Sequence, residues 1–193
     1  MKKLSLFVLA SASMFLTSLH TMAQSNWDLD KGHARLGFSI THLMISDVEG
    51  SFKNFTASIK TPKADFTDAK VEMNADVATI NTENESRDKH LVSSDYFDAA
   101  KFPKLTFVSQ SFIKTGTNTY KVTGDLTMHG VTKTVVLNAI AKTGINPMSK
   151  KNAAGFKITG TVKRSDFGIS AKTPTAILGD EVEIMANAEF TQG

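Results

Sequence analysis

Between Trp27 and Phe190 the chain switches from apolar to polar at every second residue, segment after segment, and that habit limits what it can fold into. Ala34, Leu36, Phe38 and Ile40 alternate with Arg35, Gly37, Ser39 and Thr41, the period of a strand with one dry face and one wet face. The same alternation returns at 71–77, 105–113, 120–128, 131–141, 156–163 and 182–190. About eight such one-faced segments read as an antiparallel all-β domain. They can bury their dry faces as a sandwich or as a closed barrel. A single eight-stranded antiparallel barrel is expected, because closure removes exposed edges and no segment carries the central proline or edge charges that guard one.

Within this pattern residues 33–52 read as a hairpin with an unusual tip. The connection Leu43-Met44-Ile45 is apolar, so something should cover it. Asp125 to Gly130 reads as a second hairpin tip, with Gly130 supplying the turn. One stretch breaks the alternation: 81–97 (NTENESRDKHLVSSDYF) is polar and rich in helix formers. It predicts a short helix over 83–92, capped by Thr82 with Glu85 three residues on, and a further helical turn over 94–99.

Residues 1–23 read as a cleaved leader: Lys2 and Lys3, an apolar run too short to span a bilayer, then Thr21-Met22-Ala23 with small residues where a signal peptidase cuts. Residues 24–193 then form one domain, expected in the periplasm or the medium and free of any membrane-spanning segment. Without the leader the chain carries 20 basic and 19 acidic side chains. That near-neutral balance, with no basic cluster, argues against nucleic acid as a partner. The chain has no cysteine, which excludes disulfides, thiol catalysis and a lipid-modified N-terminal cysteine.

What such a barrel does depends on whether its interior is full. The inward faces mix Phe38, Phe52, Phe107 and Phe156 with small residues such as Ala75, Gly124, Ala139, Ala141, Gly160, Ala186 and Ala188. Small apolar residues either leave a lumen or accommodate the rings opposite, and the pattern allows both. A lumen with such walls would hold hydrocarbon, at roughly 0.8 kcal/mol per buried methylene before ordering losses. The remaining chemistry is sparse. His33, His42, His90 and His129 form no close metal-binding pair, so no metal site is expected, and no nucleophile elbow, phosphate loop or dinucleotide fingerprint is present. Arg87-Asp88 and Arg164-Ser165-Asp166 read as polar pairs that pin the helix and a turn. A functional alternative sets Arg87 and His90 on one helical face beside a ligand head group.

Several motifs together resemble the YceI-like family: Trp27, His33-x4-Phe38-x3-His42, Val48-x-Gly50-x-Phe52, Arg87-Asp88-x-His90-Leu91 with Phe97, Phe102-Pro103-x-Leu105-x-Phe107, Gly124-x-Leu126-Thr127-x-x-Gly130-Val131-Thr132-Lys133, and Arg164-x-Asp166-Phe167-Gly168 with Leu178-Gly179-Asp180. The resemblance implies a lipocalin-like barrel with a short helical insertion, exported to the periplasm and holding a polyisoprenoid, an isoprenoid quinone or a fatty-acid-like chain. It further implies a role in carriage or stress, a membrane cytochrome as a partner and a homodimer. On this reading Phe38, Ile40, Phe52, Phe97, Phe107, Leu126, Met128, Phe156, Ile158 and Ile184 line the tunnel, and His42, Arg87 and His90 stand at its mouth. No catalytic residue and no cofactor is expected. An enzyme acting on a prenyl or quinone substrate through His42, or a filled barrel of purely structural use, are the alternatives.

Overall fold

The computed structural model describes residues 24–193; the leader expected over 1–23 lies outside the described residues. The strands are β1 (Ser25–His42), β2 (Ser46–Phe52), β3 (Phe55–Thr61), β4 (Lys70–Asp76), β5 (Ile80–Asn81), β6 (Lys104–Gly116), β7 (Thr119–Met128), β8 (Val131–Ile145), β9 (Asn152–Lys163) and β10 (Leu178–Gln192), with one α-helix, α1 (Glu85–Leu91), between β5 and β6. All pairings are antiparallel, and β10 returns to pair with β1 along most of its length. The sheet is therefore a closed barrel, not a sandwich.

Eight staves form it, because β2 and β3 are two halves of one broken strand. Both run antiparallel to β1: β2 pairs with Leu36 to His42, and β3 with Ser25 to Asp28. At the break the two part company. β3 goes on to pair with β4, whereas β2 finds only the two residues of β5 on its far edge. The chain between β5 and β6 packs Leu91, Val92, Tyr96 and Phe97 onto the core there. The expected helical insertion thus supplies apolar cover beside a stave that splits.

That helix is shorter than its composition predicts. Glu83 takes a left-handed backbone at φ 59°, so helical geometry cannot begin until Asn84, which caps α1 by accepting the Arg87 amide at 3.0 Å. Thr82 is not the cap. Its amide and hydroxyl donate to Asp88 at 2.9 and 2.6 Å, and its hydroxyl and carbonyl accept from Arg87. The expected helical turn over 94–99 is a run of tight turns instead. Asp98 sits at φ 47°, and the Phe97 and Ala99 amides bond back to Leu91 and Val92. Asn84→Ala should lower the unfolding free energy by about 1 kcal/mol in urea titrations, the usual cost of losing such a cap.

The β7–β8 tip is as expected, a two-residue turn with both His129 (φ 52°) and Gly130 (φ 74°) in the left-handed region. The β1–β2 tip is the predicted apolar hairpin, but among the described residues nothing covers Met44 or Ile45, which are 75% and 83% exposed.

A cluster of buried aromatic side chains lies at the opposite end, where β1 begins. Trp27, Phe66, Phe112, Tyr120, Phe156 and Phe190 are all buried there. The β3–β4 loop, residues 62–69, folds across this end and is held from β7 by the Tyr120 hydroxyl, which donates to the Asp65 carbonyl at 2.7 Å. Tyr120→Phe should cost about 1 kcal/mol, the net worth of one neutral hydrogen bond. Hydrogen exchange should rise in 62–69 before elsewhere. The Asp65 carboxyl accepts the Thr67 amide at 3.1 Å and pairs with Lys114. These contacts, the Thr67 bonds foremost, hold it below the ordinary aspartate value. Its contribution is complete above that ordinary value and is lost as pH falls through the lower folded one.

Candidate functional site

The inward faces of the staves do not meet. They enclose a cavity of about 760 Å³ that runs down the barrel axis, within the size range of small-molecule sites. Burial shows why the sequence allowed two answers. Phe38, Ile40, Ile158, Val182, Ile184, Ala186 and Ala188 are apolar and inward, yet only half-buried, because they face the lumen and not one another. Other small residues do accommodate rings. A side chain on Gly124 would come within 2.4 Å of the Phe107 ring and 2.6 Å of the Val108 carbonyl. Both readings of the small residues hold, at different positions.

The ten apolar residues named from the sequence all border this cavity. β1 contributes Phe38 and Ile40, β2 Phe52, β6 Phe107, β7 Leu126 and Met128, β9 Phe156 and Ile158, and β10 Ile184. Phe97 comes from the turns after α1 and meets the Phe52 ring edge-on at 6.1 Å. His42, Arg87 and His90 also reach the cavity, together with Thr82, Asn84, Ser86, Tyr96 and Arg164. These eight belong to the mouth-side strand ends and to the insertion. All other lining residues are apolar or glycine, so the lumen carries no ionisable group below that polar collar.

The collar is mostly occupied with its own structure. Arg87 is anchored on Thr82, as the pinning reading expected, and still borders the cavity. His90 Nε2 stands 3.6 Å from Asp95, and its ring lies edge-on to Tyr96 at 4.8 Å. Arg164 is 4% exposed. Its expected partner, Asp166, is exposed and takes no bond from it. The guanidinium instead donates to the carbonyls of Ile169, Ser170, Thr173, Leu178 and Gly179, which ties the loop before β10 and the start of β10 itself to one planar cation. The acid beside it is Asp180, which accepts the Ser165 amide and hydroxyl. Sequence reasoning missed Tyr96 and Asn84 because neither sits in a period-two pattern. It missed Ala57, on a strand from which it took no lining residue, and Met73, although Met73 shares the face of Ala75.

Of the remaining histidines, His129 donates from Nδ1 to the Phe167 carbonyl at 3.0 Å. His33 lies on the outer wall with Asp30 and Glu189, ligand atoms within 4.8 Å of one another. The hydrogen bond with Asp30 raises the His33 pKa. That exposed trio is outside the lumen. No helix among the described residues is long and apolar enough to cross a membrane.

A hollow, greasy, eight-stave barrel with one helix has close counterparts. UPF0312 protein SAS2572 of Staphylococcus aureus is 37% identical over 86% of this chain and 98% of its own. The crystal structure of a Campylobacter jejuni YceI protein superposes with a TM-score of 0.73 at 34% identity, over 79% of this chain and 90% of that one. A domain of Saccharophagus degradans described as polyisoprenoid-binding shares the fold, with a TM-score of 0.61 at 15% identity over 86% and 98%. The model of the YceI-like domain matches residues 27–190, and with nearly all of the described barrel inside that match, the chain belongs to the YceI-like family.

Proposed function

We propose that this protein is an exported binding module, not an enzyme, and that its lumen holds one long-chain amphiphile for carriage or sequestration. The ligand class is a polyisoprenoid, an isoprenoid quinone or a fatty-acid-like chain. One observation carries the reading: a bore of about 760 Å³ with no charge along its length and a polar collar at its mouth. A wall of this kind rejects charge and sugars, whose desolvation nothing would offset. It accepts hydrocarbon of any identity, with the tail inside and the head group near Arg87 and His90. The Saccharophagus degradans domain, described as polyisoprenoid-binding, has the same architecture. The leader read at 1–23 supports a periplasmic location, where a lipid has to cross water between membranes.

The test is thermal unfolding of delipidated protein with added isoprenoid alcohol. A ligand bound only by the native state stabilises it by about 2.7 kcal/mol at a hundredfold excess over its dissociation constant. For a domain of this size the melting temperature should rise by about 5–10 °C. No rise with long isoprenoid, quinone or fatty-acid chains would overturn the proposal.

A further inference from the structure

The bore is closed at the end opposite His42, and what closes it is built from the β3–β4 loop. Of residues 62–69 (PKADFTDA) only Phe66 is large and apolar. It is 1% exposed although it occupies a left-handed backbone, φ 60°, which aromatic residues rarely adopt. The surroundings hold it there. The Phe66 amide bonds to the Lys63 carbonyl, the Ala69 amide to the Phe66 carbonyl, and the Asp68 amide to Phe112 of β6. Its ring meets Trp27 of β1 at 5.0 Å and Phe156 of β9 at 5.1 Å. Phe156 in turn meets Phe112 at 6.3 Å and Phe190 of β10 at 5.8 Å. An aromatic layer therefore spans the bore from wall to wall. Phe112, Phe156 and Phe190 form its upper side toward the cavity, and Phe66 with Trp27 lies beneath.

We propose that this floor is a chain-length stop. At about 30 Å³ of liquid volume per water-sized group, a cavity of about 760 Å³ holds on the order of 25 carbon atoms, or about five isoprene units. A tail up to that length is swallowed whole. A longer tail leaves its excess in water outside the mouth and gains nothing from it. The inference rests on the lipid-holding reading above and adds the size of the ligand to it. It also names the residue that sets that size, since removing the Phe66 ring lets the layer above it sag into the loop.

The probes are linear prenyl alcohols, from geraniol through farnesol, geranylgeraniol and geranylfarnesol to solanesol, with binding followed by the melting temperature and by the emission of Trp27, the one tryptophan of the chain. Affinity should climb steeply to the five-unit geranylfarnesol, by up to about fourfold per added methylene. Solanesol, nearly twice the capacity, should bind no tighter than geranylfarnesol. Phe66→Ala should move this plateau to longer chains. Ala188→Phe, which adds a ring on the lumen wall just above the floor, should move it back toward farnesol. Should Phe66→Ala fail to fold, Ala188→Phe decides alone. Affinity that goes on rising by more than about tenfold from geranylfarnesol to solanesol overturns the stop, as does a plateau that neither variant moves. Failure of every alcohol to bind overturns the lipid-holding reading itself, a different and separable result.

Discussion

Arg164→Ala is expected to lower the unfolding free energy by about 3–5 kcal/mol and the melting temperature by about 10 °C, the largest stability effect of any single truncation in the collar. The reason is geometric. Arginine is the side chain with five N–H donors in a rigid plane, and here the plane faces five backbone carbonyls, three in the loop before β10 and two in the first residues of β10. That loop, residues 168–177, has no strand of its own to satisfy it. Truncation leaves those carbonyls without partners in a place where the parent residue is 4% exposed, and each orphaned group costs about 1–3 kcal/mol before water recovers part of it. Lysine keeps the charge but not the fork, so Arg164→Lys should fall between wild type and alanine. Urea unfolding with unchanged m-values measures both. A loss below about 1 kcal/mol for alanine would mean that the loop is held by something else.

The second large effect is on binding and has the opposite sign for stability. Ala186 stands midway along β10, paired with Leu36 on one side and Ile158 on the other, all three on the lumen wall. It is half-buried only because the space before it is empty. Ala186→Trp places an indole in that space without displacing a packed neighbour, so the ligand-free protein should be as stable as wild type or up to about 2 kcal/mol more stable. The indole takes the room of several methylenes, each worth about 0.8 kcal/mol, and long-chain affinity should fall by more than a hundredfold. The variant should therefore melt normally and show no ligand-dependent rise. In a filled core the same substitution would overpack and cost about 1–3 kcal/mol, so the sign of the stability change separates a hollow barrel from a solid one.

The fold was legible because its information is repetitive. Each of the long strands carries the same alternation, which left a sandwich or a closed barrel, and closure was preferred because it removes exposed edges. The tunnel wall was legible for the same reason, since Phe38 and Ile40 on β1 or Phe156 and Ile158 on β9 must share a face. Occupancy of the interior was not legible. Gly124 and Ala186 look alike in a pattern, yet one makes room for Phe107 and the other borders a void, and only the distance between opposite walls tells them apart. The helix was misjudged by two residues because backbone sign at Glu83 is invisible to propensity. Thr82 was read as a cap, when its hydroxyl serves the Arg87–Asp88 pair instead. Arg164 was expected to pair with Asp166 two residues on. It bonds to carbonyls as many as fifteen residues away, a relation that spacing cannot encode. Phe66 had no signal at all, being a lone aromatic in a turn-rich loop.

Native mass spectrometry of the protein purified gently from its own host tests the hollow-barrel account most directly. The predicted result is a folded species heavier than the polypeptide by one long-chain lipid, released on denaturation and missing from Ala186→Trp prepared in parallel. Wild-type protein found only at its bare polypeptide mass, and taking up no prenyl, quinone or fatty-acid chain added to it, would contradict the account.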